Sequence, residues 1–218
     1  MDSIDAIFFD WDGTLVDSAQ MAYCALRKSL GNLGIVVERS LYERAYSPDW
    51  YAMYEAFGLP REKWQEADDL WLQHYGRNPP DAAPGAPGVL RELGRRGYCL
   101  GIVSSGARSR VCGEIEALGL NGTFQVVVCG EDVGNRKPHP EGLERAMTET
   151  GRAREVCCYV GDTPEDMEMG KRAHVRTIGI PSRYPNSRTL VRHGPDLCIE
   201  SITELLTHFT APVSRSSA

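Results

Sequence analysis

The sequence predicts an α/β protein: a Rossmann-like parallel sheet core interrupted by an inserted all-helical segment. Three observations carry this expectation. Short runs rich in β-branched and aromatic residues recur along the chain, single helical patterns separate them from residue 88 onward, and residues 17–78 show helical spacing without strand signals. Strands that alternate with single helices pair in parallel, because right-handed crossovers place the helices on both faces of the sheet.

The first strand is read at Ile7, Phe8 and Phe9 within "AIFFDWDGTLVDS" (6–18), too short and too rich in β-formers for a helix. Further strands are expected in "YCLGIVSS" (98–105), "FQVVVCG" (124–130), "EVCCYVG" (155–161) and "VRTIGI" (175–180), with "DLCI" (196–199) as a short edge strand. Between them lie the helical stretches "GVLRELGRRG" (88–97), "ARSRVCGEIEALG" (107–119), "PEGLERAMTETG" (140–151), "PEDMEMGKRA" (164–173) and "SITELLTHF" (201–209). Several end at Gly, as C-terminal caps do.

Within the insert, "DSAQMAYCALRKSLGNLG" opens on an Asp/Ser cap, and "EKWQEADDLWLQHYG" sets Trp64, Ala67, Leu70, Trp71 and Tyr75 near helical spacing. The Pro/Gly/Ala-rich "RNPPDAAPGAPG" (77–88) then returns the chain to the α/β rhythm, stiff in its middle with candidate hinges at its ends. The expected organisation is a core of residues 1–16 and 84–210, a helical cap of residues 17–83, and a frayed tail at 211–218.

The 218 residues suffice for one substantial core plus a smaller module. A net charge of −6 argues against a nucleic-acid surface, which needs clustered cations. No apolar stretch reaches bilayer-spanning length, and "MDSID" lacks the charged-then-apolar start of a signal peptide; the expectation is a cytoplasmic protein without membrane contact. The seven cysteines form no CxxC pair and sit mostly in apolar runs, which reads as buried free thiols in a reducing compartment.

In an open parallel sheet, ligands bind outside the carboxyl ends of the strands. The first strand delivers Asp10 and Asp12 there, on one side by alternation, with Trp11 pointing away. Two like charges leaving an apolar strand need a cation, a shared proton, or both. Gly13 permits the tight turn that follows. The second strand supplies Ser104 and Ser105 before Gly106, the loop after the third supplies Lys137 in "NRKPHP", and the fourth supplies Asp162 with Asp166 one helical turn on. Oxygen-only ligation suits Mg²⁺, a hard cation held by a few carboxylates with waters and substrate phosphate. A phosphoryl group complements the rest, held by the metal, Lys137, the Ser104 hydroxyl and backbone N–H groups. One carboxylate can accept that group covalently, and another can protonate the leaving oxygen and then deprotonate water.

At these residues the chain resembles the haloacid dehalogenase-like hydrolases. "DWDGT" matches their DxDxT first motif, Ser104 the hydroxyl second motif, Lys137 in "KPHP" the third, and "GDTPED" the GDxxxD fourth, in order over nearly the whole chain. The insert resembles the cap of the phosphoglycolate phosphatase-like branch. The resemblance implies Asp10 as nucleophile and Asp12 as general acid/base, with Thr14 supporting Asp12. It implies phosphate binding by Thr14, Ser104, Ser105, Gly106 and Lys137. It also implies Mg²⁺ held by Asp10, the Asp12 carbonyl and Asp162, with Asp166 acting directly or through water. The expected partner is a small phosphorylated metabolite, and the oligomeric state stays open between monomer and homodimer.

Blander roles compete at each position. Asp162 can be an N-cap and Asp166 a first-turn acid favoured by the helix dipole. Ser105 and Gly106 can form a plain turn. Arg108 and Arg110 read as decorating a solvated helix face, Trp64, Trp71 and Tyr75 as packing within the insert, and His139 as a surface or supporting residue. Arg44, Tyr46, Asp49 and Trp50 are candidates for specificity, and Arg183 and Tyr184 for a second lid-facing segment. A sugar-phosphate mutase is the nearest rival to a phosphatase; it tends to carry a His on the first insert helix, which "DSAQMAYCALRKSL" lacks. A non-catalytic binding protein of the same fold is expected to have lost one of Asp10, Asp12, Lys137 or Asp162, and none is lost.

Overall fold

A computed structural model describes residues 4–76 and 78–210. The tail expected at 211–218, and Arg77 in the connector, lie outside the described residues. Among the described residues six strands form one sheet: β1 (Ala6–Phe9), β2 (Cys99–Val103), β3 (Val126–Val128), β4 (Cys157–Gly161), β5 (Arg176–Gly179) and β6 (Leu197–Cys198). Their order is β3-β2-β1-β4-β5-β6, and every pairing is parallel. β1 therefore sits centrally, and its run of four buried residues reflects cover on both faces.

Those faces carry separate apolar clusters. On one, Ile7, Phe9, Leu100, Ile102 and Val160 pack under α5 (Ala86–Arg95) and α6 (Arg108–Ala117). On the other, Phe8, Val103 and Tyr159 pack under α7 (Glu141–Thr150) and α8 (Pro164–Arg172). A short α9 (Leu205–His208) lies beside α5, where Tyr98 and Phe209 meet edge to face at 5.5 Å.

The insert comprises α1 (Ala19–Asn32), α2 (Arg39–Ala45), α3 (Trp50–Ala56) and α4 (Trp64–Tyr75), and it buries its own cluster around Leu26, Leu30, Met53, Tyr54 and Trp71. Tyr184, from the loop after β5, joins that cluster. Chain exit and return run side by side: Val16 bridges Ala82 antiparallel, Asp17 N–H donates to the Asp81 carbonyl at 2.9 Å, and Ala83 N–H donates to that of Leu15 at 2.8 Å. The two connections are thus joined by backbone hydrogen bonds. Among the described residues no helix is long and apolar enough to cross a membrane.

Candidate active site

β1, β2 and β4 end within one residue of one another, so Asp10, Ser104 and Asp162 emerge at one edge. Asp10, Asp162 and Asp166 are buried there with one carboxylate oxygen each, all within 4.8 Å of one another. Lys137, itself buried, donates to Asp10 Oδ1 at 2.5 Å and lies 2.8 Å from Asp166 Oδ1. Its ammonium also stands 5.4 Å from the centre of the Tyr159 ring.

Burial, reinforced by repulsion from Asp166 and Asp12, raises the Asp10 carboxyl to about 7 although Lys137 opposes the rise. Burial with repulsion from Asp10 and Asp166 likewise lifts Asp162 far above the carboxylate range. Lys137 is pushed up by Asp10 and Asp166 against the opposing effect of burial. One ammonium does not balance three buried carboxyls. An oxygen-only donor set of this density fits a hard divalent cation, and Asp10, Asp162 and Asp166 are the residues that would hold it.

Asp166 has two tasks. Its Oδ2 accepts from the backbone N–H groups of Asp162 (3.1 Å) and Thr163 (3.0 Å) and from the Thr163 hydroxyl (2.7 Å), closing the N-terminus of α8 in a capping box. Its Oδ1 faces Lys137. The first-turn reading of Asp166 and its place in the carboxylate cluster are thus both met by one side chain, while the N-cap expected at Asp162 is Thr163. Asp162 accepts from the Ser182 hydroxyl and, at 3.4 Å, from Thr14. Thr14, expected to support Asp12, is turned to Asp162 instead.

Asp12 stands apart from the three-carboxylate cluster. Its Oδ1 accepts from the Ser18 hydroxyl at 2.6 Å and from Arg110 Nη1 at 3.0 Å, and its Oδ2 accepts from Arg110 Nη2 at 2.5 Å. Arg110 was expected on a solvated helix face; its side chain is only 6% exposed, so that expectation fails. Trp11, turned into the core, donates to Glu114 at 2.6 Å, and Glu114 in turn pairs with Arg110 at 3.1 Å. The guanidinium lies 5.7 Å from the Trp71 ring and 5.1 Å from the Tyr75 ring. Desolvation is therefore offset by two carboxylates and two aromatic faces.

Ser104, Ser105, Gly106, Lys137 and Asp12 all line one cavity of about 40 Å³ with the three-carboxylate cluster, room for roughly three water-sized groups. Ser104 accepts from Gly106 N–H at 3.0 Å, while the buried Ser105 hydroxyl has no partner among the described residues. The insert closes the cavity with Tyr46, Trp50 and Trp71, and the β5 loop adds Tyr184. Trp71 thus serves both packing and lining. A second cavity of about 230 Å³ adjoins it through Trp50, Trp71, Ser105, Gly106 and Arg110, and opens toward Asp68 and Arg136.

The remaining expectations resolve structurally. Asp49 caps α3 by accepting from Tyr51 N–H at 3.2 Å, Arg44 is exposed, and Arg183 pairs with Asp17 at 2.9 Å on the surface. His139 is exposed and accepts from Glu141 N–H at 3.3 Å. Ser18, expected with Asp17 to cap the first insert helix, stands at the N-cap position of α1 without a side-chain cap bond and gives its hydroxyl to Asp12 instead. Sequence reasoning missed Ser182 and the Arg110–Glu114 pair. The signal for Arg110 was Gly106: a Cβ there would collide with the guanidinium and come within 3.1 Å of Val111, so the glycine admits the folded-back arginine.

The parallel sheet gathers buried carboxylates and a lysine at its carboxyl edge, the place where open α/β sheets bind ligands. The sequence model of the haloacid dehalogenase-like hydrolases matches residues 7–180, and the chain belongs to that family of enzymes. It is 32% identical over 182 residues to a phosphoglycolate phosphatase of Aquifex aeolicus, covering 78% of this chain and 82% of that one. A pyrophosphatase PpaX of Bacillus pumilus is 27% identical over 220 residues, covering 94% and 95%. A hydrolase from Pseudomonas syringae has the same fold, with a TM-score of 0.83, 23% identity, and coverage of 94% of this chain and 97% of that one.

Proposed function

We propose that the protein is a Mg²⁺-dependent phosphatase that hydrolyses a small phosphomonoester through a phosphoaspartate on Asp10. The carrying observation is the buried cluster of Asp10, Asp162 and Asp166 around Lys137, lining a cavity of phosphoryl size. Mg²⁺ bound by this cluster supplies neutralisation of the carboxylates and of the phosphoryl oxygens.

In this reading an Asp10 oxygen attacks phosphorus, the bond to the leaving oxygen breaks, and Asp12 gives that oxygen its proton. Water then attacks the phosphoaspartate, passes its proton to Asp12, and the bond to Asp10 breaks. Lys137, the Ser104 and Ser105 hydroxyls and the Gly106 backbone hold the phosphoryl oxygens, and Thr14 acts by fixing Asp162. Residues 17–83 serve as a cap over a core of residues 1–16 and 84–210, and the adjoining cavity takes the leaving group. Closure of this cap excludes water from the first step.

The test is phosphate release from a panel of phosphorylated metabolites, including phosphoglycolate, pyrophosphate, sugar phosphates and nucleotides, with Mg²⁺ and after exhaustive chelation. Metal-dependent release of inorganic phosphate supports the reading. Isomerisation of a sugar phosphate without release would establish a mutase instead, and inertness toward the whole panel with Mg²⁺ present would leave a binding protein.

A further inference from the structure

A carboxylate offers about four lone-pair sites. At Asp12 three are taken: Ser18 and Arg110 Nη1 occupy Oδ1, and Arg110 Nη2 occupies one site of Oδ2. One acceptor site remains, on Oδ2, and Asp12 lines the cavity shared with Asp10 and Lys137. We propose that Arg110 is the positioning residue for Asp12, selecting Oδ2 as the single atom through which Asp12 exchanges its proton with the leaving group and with water. The proposal rests on the acid/base role given to Asp12 above.

Four features fit a fixed positioning device. The fork is two-pronged, which sets the carboxylate plane as well as its distance. Arg110 is held from behind by Glu114, and Glu114 by the Trp11 indole N–H, so the orientation is anchored in the sheet's core. Gly106 leaves the space the guanidinium fills. The rings of Trp71 and Tyr75, both on α4, cover its remaining face. A side chain in this setting has little freedom to follow a substrate. On the opposite side Ser18 is held by Tyr184, whose hydroxyl lies 2.9 Å away, so the carboxylate is gripped from both sides.

The experiment compares wild type, R110K, R110Q and R110A, all Mg²⁺-loaded, on an aryl phosphate with a good leaving group and an alkyl phosphate with a poor one. Circular dichroism establishes which variants fold, and R110K and R110Q carry the test if R110A does not. Losing the alignment of a general acid should lower kcat on the alkyl ester by roughly 10- to 100-fold in R110A or R110Q. Phosphoenzyme formation from the aryl ester should fall by no more than about threefold, and the substrate dissociation constant read from single-turnover kinetics should stay within about twofold for both esters. R110K should retain an intermediate kcat, and guanidinium in the buffer should restore part of the R110A loss. In a D12N background, removing Arg110 should cost nothing further, since it acts through Asp12. A raised KM with unchanged kcat would make Arg110 a substrate ligand and overturn the proposal, as would equal losses in phosphoenzyme formation from the two esters or losses that add to those of D12N. A wild type inert toward both esters would overturn the phosphatase reading, and this inference with it.

Discussion

Lys137 and Asp166 face each other across 2.8 Å beneath the cavity, while the other oxygen of Asp166 holds the first turn of α8. One carboxylate therefore ties the position of the lysine to the integrity of a helix N-terminus. Asp166→Ala should lower stability by about 1–3 kcal/mol, the range for a lost cap and orphaned buried donors, read as a lower urea midpoint at unchanged slope. Asp166→Asn, which can still accept at the cap, should recover most of that stability but little activity. Recovery of both would show that Lys137 needs no carboxylate at this point.

The raised carboxyls give the metal-free protein a pH signature. A carboxyl whose pKa is higher folded than unfolded costs nothing below the unfolded value and its full cost above the folded one. For Asp10 the window runs from the ordinary 3.8 to about 7, so stability of the metal-free protein should fall as pH climbs through it. Asp162, raised by burial with repulsion from Asp10 and Asp166, acts in the same direction. Calorimetry without metal across this range should show Tm declining in wild type and declining less in Asp10→Asn. Mg²⁺ should raise Tm more at the alkaline end. A Tm of wild type that rises through this window would contradict the reading of these carboxyls as raised by burial and mutual repulsion.

Gly13 has φ +89°, and a Cβ there would approach Tyr184 Cδ2 at 2.8 Å and Asp162 Cγ at 2.9 Å. Gly13→Ala combines left-handed strain with displacement of a proposed metal ligand. The expected cost is roughly 1–3 kcal/mol in stability, together with a higher half-saturating Mg²⁺ concentration for phosphate release. Unchanged metal dependence at reduced stability would confine the glycine to a backbone role.

Much of the fold and part of the candidate site were legible in the sequence. Asp10, Ser104 and Asp162 could be gathered from the strand-end rule alone, because parallel strands deliver their carboxyl ends to one edge regardless of packing detail. Arg110 was not legible in that way. With Glu114 four residues on, it has the spacing of an exposed helix pair, and only the fold brings Trp71 and Tyr75 of the insert over it. Thr14 failed for a related reason: two residues from Asp12 in sequence, it hydrogen-bonds across the sheet to Asp162. Local spacing predicts neighbours along an element, while pairings between residues distant in sequence depend on topology.

The two aspartates of the first strand's end should separate cleanly by substitution. Asp10 sits in the buried cluster against Lys137, whereas the Asp12 carboxylate is turned to Ser18 and Arg110. Asp10→Asn should abolish turnover, because an amide is a poor nucleophile and a weak metal ligand. Asp12→Asn keeps the three carboxylates of the cluster, so Mg²⁺ binding followed by calorimetry should be largely retained. It removes the group that protonates the leaving oxygen and activates water, a contribution of roughly 10²- to 10⁴-fold. An activated aryl phosphate needs little protonation of its leaving group. With that substrate Asp12→Asn should form phosphoaspartate at a rate near wild type and then stall, since hydrolysis still lacks its base. Single-turnover trapping of labelled phosphoenzyme reads both steps. Label accumulating on Asp10→Asn, or hydrolysis of the intermediate at the wild-type rate in Asp12→Asn, would reverse the division of labour between the two residues.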